Sequence, residues 1–194
     1  MKQGAAALLL ILLGACTGGD TTSPSPVTFR DTTAQIASQT DVTADRMTGR
    51  WFVRQVYTGQ PGRPRELQFA AQPGGALLMS VPEVICPGAF CTREMVQLRL
   101  DPSGPGRWRA TAAQPFLPGG EVWVLWMDFD SRTMALGTPA GTYGMILDQG
   151  RDGGGDRIAA AREIMEWFGY DMERLRSVQP LPEPNPDDTM VIDG

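Results

Sequence analysis

Beyond residue 50, apolar and polar positions alternate in short runs separated by turn clusters. The runs are Trp51 to Tyr57, Leu67 to Gln72, Gly75 to Glu83, Thr92 to Asp101, Arg107 to Ala112, Glu121 to Asp130, Thr133 to Thr138 and Thr142 to Gln149. Alternation with period two marks strands with one buried face. Between the runs stand turn formers such as Pro73-Gly74, Pro102-Ser103-Gly104-Pro105-Gly106 and Ser131-Arg132. Eight evenly spaced strands in chain order predict an all-β fold, an eight-stranded antiparallel up-and-down barrel, which leaves no strand edge open.

After the eighth run the period changes. Ile158, Ala161, Met165 and Phe168 recur at helical spacing between Asp156, an N-cap candidate, and Gly169, a stop signal. This predicts a C-terminal α-helix over Arg157 to Phe168, its apolar stripe packed on the outer barrel wall. Arg174 to Val178 is then placed to pair with the barrel as a ninth strand. Connector lengths add a direction. Thr58 to Glu66, Val84 to Cys91 and Ala113 to Gly120 are long and alternate with shorter ones. Alternate connectors lie at one end of such a barrel, so the long ones mark its mouth. Eight strands enclose an interior that is either filled by side chains or holds one small ligand.

The N-terminus has a different pattern. Lys2 precedes an apolar run from Ala5 to Leu13, too short to span a bilayer as a helix. Leu12-Leu13-Gly14-Ala15-Cys16 closes it and resembles a bacterial lipobox. The resemblance implies a Cys16 thiol joined to diacylglycerol, cleavage before Cys16 and acylation of the new amine. An ordinary signal peptide cut near Ala15, leaving a free thiol, is the alternative. Each buried methylene contributes ~0.8 kcal/mol, so more than one acyl chain anchors stably. Thr17, not Asp, follows Cys16, which points to the periplasmic face of an outer membrane. The expected organisation is a lipoprotein signal peptide over 1–15, a tether and N-terminal lead-in over 16–44, and the barrel domain over 45–180. An acidic, Pro-rich tail with no means of ordering itself follows over 181–194.

Composition narrows the chemistry. Seventeen basic against 22 acidic residues give a net charge of −5, and no basic patch favours nucleic acid. The chain has no histidine, which removes the Ser-His-Asp and Cys-His nucleophiles, the commonest metal ligand and a proximal haem ligand. Lys2 leaves with the signal, so no Schiff base can form. The expectation is a protein that is not an enzyme and needs no metal or cofactor. Cys86 and Cys91 flank Pro87-Gly88-Ala89-Phe90. In an oxidising periplasm a pair this close is expected to form a disulfide. A redox or metal pair is the alternative, with no further thiol or imidazole to complete a metal site.

Several motifs carry a family resemblance. Gly49-Arg50-Trp51 resembles the Gly-x-Trp that precedes the first strand of lipocalins. Met127-Asp128-Phe129 resembles their Thr-Asp-Tyr at the end of the sixth strand. Tyr143-Gly144-Met145-Ile146-Leu147, followed by a helix and Val178-Gln179-Pro180, resembles the end of bacterial lipoprotein lipocalins, which apolipoprotein-D-like proteins share. The resemblance spans Asp45 to Pro180 and implies a lipocalin barrel. It also departs from the family. Gln149 stands where a third-motif arginine usually packs on the first-strand tryptophan, with Arg151 two residues on and on the same face. Gly49, Trp51, Asp128 and Arg151 are therefore read as structural.

The function implied is binding of an apolar molecule, a fatty acid or lysophospholipid, inside the barrel of a membrane-tethered protein. On the first strand Trp51, Val53, Gln55 and Tyr57 share a face, inward if Trp51 is the floor, so Tyr57 is a pocket candidate. Phe69, Met79 and Met95 are candidates from strands two to four. On strand six Val122, Val124 and Trp126 oppose Trp123 and Leu125, and either set fits the interior; Trp126 is the candidate there. Phe116 and Leu117 are placed to rim the mouth. The second reading is a periplasmic interaction barrel, since small barrels with a Gly-x-Trp start and a short disulfide loop resemble bacterial metalloprotease inhibitors. Cavity volume separates the two: an open apolar calyx fits lipid, a filled barrel fits a protein partner.

Overall fold

A computed structural model describes residues 27–57, 59, 63–85 and 92–179. Its strands are β1 (Gly49–Tyr57), β2 (Glu66–Gln72), β3 (Ala76–Ile85), β4 (Thr92–Gly104), β5 (Arg107–Ala110), β6 (Glu121–Met127), β7 (Thr133–Gly137), β8 (Gly144–Asp148) and β9 (Leu175–Ser177). Helix α1 (Ala44–Met47) precedes β1, and α2 (Gly155–Trp167) lies between β8 and β9. Each of the first seven strands pairs antiparallel with the next, and β8 returns to β1. The sheet is thus a closed up-and-down barrel with β9 outside it. This is the architecture the alternation predicts, and it is lipocalin-like.

Strand β1 closes the ring. Its first half, Gly49 to Phe52, pairs with β2, while Phe52 to Val56 pairs with β8. Beyond that, β9 replaces β2 as its neighbour, along Gln55 to Tyr57. The register of β1 shifts between Val53 and Gln55, and that of β6 between Val124 and Trp126. A bulge inserts one residue and moves every later side chain to the other face.

Two apolar layers result. The inner one takes side chains from all eight barrel strands, including Trp51, Phe69, Leu77, Leu100, Trp108, Val124, Met134 and Leu147. The outer one lies between the wall and α2: Phe29, Tyr57, Leu125, Ala135, Ile146, Ala161, Met165, Tyr170 and Leu175. Strands β7 and β8 stand between both layers and are buried along their whole length, the pattern of a sheet covered on two faces.

Ala161 and Met165 of α2 are buried, with Ile158 and Phe168 packed beside them. The expected stripe therefore faces the wall. The cap differs: Gly154 is the N-cap and Asp156 lies in the first turn, where its charge suits the positive helix end. Gly169, at φ +82°, ends the helix. Its N–H donates to Glu166 O at 2.8 Å and that of Tyr170 to Met165 O at 3.0 Å, the paired bonds that satisfy terminal carbonyls.

From residue 27 onward the lead-in packs on the barrel. Phe29 and Arg30 are buried, and Arg30 bridges to Tyr170. Gln39 spans the β6 bulge: its N–H donates to Val124 O at 2.8 Å and its side-chain oxygen accepts from Met127 N–H at 2.7 Å.

Candidate functional site

The lumen is closed at one end by short elements. Trp51 is fully buried and donates its indole N–H to Met47 O at 2.8 Å, tying β1 to α1. Trp108 donates likewise to Gly75 O at 2.9 Å, across the tight turn between β2 and β3. These bonds satisfy the one polar atom of each ring. Above this floor the lumen is apolar and rich in methionine: Met79, Met127, Met134 and Met145 are all buried there. Unbranched thioethers adapt to differently shaped neighbours.

At the other end Phe116 and Leu117 drop inward from the connector between β5 and β6. Both are buried. With Met79, Val122, Leu136 and Met145 they enclose a cavity of about 10 Å³, about the space of one water. No open calyx lies beneath them among the described residues. The rim expected of Phe116 and Leu117 is instead a stopper.

Of the other pocket candidates, Phe69 and Met79 line the lumen. Tyr57 does not. The β1 bulge turns Val56 inward and sends Tyr57 to the outer layer, stacked on Phe29 with ring centroids 4.9 Å apart. Trp126 follows the β6 bulge and also lies outside, while Val122, Val124 and Met127 face in. Met95 is 48% exposed; on β4 it is Val96, Leu98 and Leu100 that pack on the inner layer.

The motif residues hold the closed end. Gly49 opens β1, and the Asp128 carboxylate accepts from the N–H groups of Arg132 and Thr133, both at 2.6 Å, closing the turn between β6 and β7. Arg151 covers the residue beside Trp51 on the outer face. It lies 5.0 Å over the ring of Phe52, which Arg50 also covers at 4.8 Å. Trp51 faces the lumen, so its outward neighbour meets the cation. Cys16, Cys86 and Cys91 lie outside the described residues, and so do the acylation and disulfide assigned to them.

A second closed-end group was not singled out from the sequence. Asp148, 1% exposed, accepts from Thr133 Oγ1 at 2.5 Å and from the Arg157 guanidinium at 2.9 Å. Its other oxygen accepts from Gly150 N–H at 2.7 Å. The hydrogen bond with Asp148 raises the pKa of Arg157 above its usual value. This ties the first turn of α2 to β7 and β8. An acidic residue ending a strand and an arginine opening a helix are its only sequence signal.

Burial raises the phenol of Tyr143, in the inner layer, well above its usual range; in the outer layer it does the same to Tyr57 and pushes Tyr170 up to about 12. All three stay neutral near pH 7. Among the described residues no three His, Cys, Asp or Glu side chains gather as metal ligands. The arrangement suits apolar contact. No family model matches the chain, and no curated protein matches it.

Proposed function

We propose that the protein binds a small apolar molecule, a fatty acid or lysophospholipid, inside the barrel, and that residues 111–120 form a stopper which the ligand displaces. The observation that supports this is the way the mouth is filled. Phe116 and Leu117 occupy an apolar site in place of a ligand, on a segment that ends in Gly119 and Gly120, both at positive φ. Glycines there let the backbone turn without steric cost.

Magnitudes define the ligand. Exposing two such side chains costs about 3–6 kcal/mol, and each ligand methylene buried contributes about 0.8 kcal/mol. Roughly four to eight methylenes therefore balance the opening. Titration calorimetry with a series of fatty acids tests this. Acids of about twelve carbons or more should bind saturably with one dominant site, and acids of about four should not. No saturable binding at any length overturns the proposal. That outcome would favour the second reading, a protein-interaction barrel of protease-inhibitor type, which the 10 Å³ cavity supports.

The same reading places the protein on a membrane through Cys16. The N-terminal segment joins the fold beside the connector between β7 and β8, where Phe29 N–H donates to Gly141 O at 2.8 Å. That connector lies at the mouth end. Ten residues separate Cys16 from Val27, a reach of at most about 40 Å, so an acylated Cys16 would keep the mouth near the bilayer. Cys16→Ser should move the protein from the membrane fraction to the soluble fraction or leave it uncleaved. If native and substituted chains fractionate and migrate alike, the anchor is wrong.

A further inference from the structure

Where β1 changes partner from β2 to β9, the segment leading into β2 crosses a gap. The gap is a groove of about 520 Å³, lined by Val56, Arg63, Arg65, Arg176, Ser177 and Val178 among others. We propose that this groove is an oxyanion site that takes a phosphate group, free or as the headgroup of a lipid.

The charge on its walls carries the argument. Three exposed guanidiniums surround one groove. Arg65 donates to Gln179 O at 3.1 Å, and Arg176 donates to the carbonyls of Glu173 and Leu175. These acceptors are carbonyls, which carry no net charge. Among the described residues no carboxylate pairs with Arg63, Arg65 or Arg176. Glu66, beside Arg65 in sequence, has both oxygens bound by Arg50 at 2.7 Å. Three like charges around one concavity repel each other, and a bound anion relieves the repulsion. Arginine forks match the geometry of phosphate oxygens.

Two further observations fit an anion carried on an amphiphile. Val56 belongs to the inner apolar layer and Val178 packs against it, so the groove's floor is continuous with the lumen lining. The walls are also held in place: Val53 N–H donates to Arg65 O and Val178 N–H to Arg54 O, both at 2.9 Å. The site does not require the stopper to open, and it stands or falls separately from lumen binding.

The test uses the full chain carrying Cys16→Ser, so that no acyl anchor contributes. Inorganic phosphate is titrated by calorimetry at low salt. Flotation with phosphatidylglycerol vesicles, against phosphatidylcholine vesicles, reads the lipid source. The comparison protein carries Arg63→Gln and Arg176→Gln in addition, and Arg99→Gln on β4 is the control. Losing charge-assisted bonds should weaken binding about tenfold or more, while Arg99→Gln leaves it unchanged. Saturable phosphate binding identifies a free anion as ligand; binding to the anionic vesicles alone identifies a headgroup. Either result supports the site if the double substitution removes it. No binding to either probe, or binding that Arg63→Gln and Arg176→Gln leave intact, overturns it. A long-chain alcohol, which needs only the lumen, should bind both proteins alike and keeps the two readings distinct.

Discussion

The two connectors that flank the stoppered mouth, 138–143 and 111–120, are held in opposite ways. Residues 138–143 are bound by directional polar contacts. The Tyr170 hydroxyl accepts from Thr138 N–H at 2.9 Å and has the carbonyls of Thr138 and Tyr143 within 3.2 Å and 3.1 Å. Arg30, 5% exposed, donates to Pro139 O, to Ala34 O at 2.6 Å and to Phe168 O at 2.9 Å. The last of these places a cation at the C-terminal end of α2, where the helix dipole favours it. Residues 111–120 hydrogen-bond mainly within themselves, through Gln114, Leu117 and Gly120. One bond recorded from outside, from Thr142 Oγ1 to Pro118 O, is long at 3.5 Å. What seats this segment is the apolar pair Phe116 and Leu117. Hydrogen bonds specify one position, because breaking them strands buried polar atoms. Apolar contact has no direction, and another apolar occupant can replace it at small net cost. One connector is wall and the other is door.

Breaking the wall should have the larger effect. Arg30→Ala removes three bonds from a charged donor and leaves partly buried carbonyls without that partner, so stability should fall by about 3–5 kcal/mol. The urea midpoint should drop with an unchanged slope. A loss below about 1 kcal/mol would mean that the Arg30 bonds contribute little to holding this end of the barrel. Opening the door should cost less and should help binding. Phe116→Ala should lose about 1.5–3 kcal/mol of stability. The same change lowers the work of opening, so a long-chain fatty acid should bind about ten- to a hundredfold more tightly. Calorimetry showing weaker long-chain binding in Phe116→Ala would end the stopper interpretation.

The strands, their order, the outer helix and the ninth strand were legible because period and turn chemistry are local. The faces were less so. Counting by twos from Trp51 puts Tyr57 inward, and the count fails at Arg54, where β1 bulges. The same failure on β6 sends Trp126 outside. A bulge is set by partners far along the chain; Gln39, which bonds the backbone around the β6 bulge, belongs to a segment read as lead-in. Arg30 was missed for that reason as well: its neighbours give no periodicity, and its acceptors come from residues 139 and 168. The arginine groove was hidden by total charge. The net −5 describes the whole chain, whereas Arg63-Pro64-Arg65 and Arg176 meet only when β9 lies beside β1.

The three partners of β1 also constrain how the molecule is made. This strand emerges first, yet Phe52 pairs with Asp148 and Tyr57 with Leu175, among the last residues of the fold. Closing such long loops before any contact rewards them slows folding. During that interval β1 and β8 are open edges, available to other chains. The ring is sealed late, by the two ends of the folded chain, and a cell making this protein must keep those ends apart from strangers until they meet.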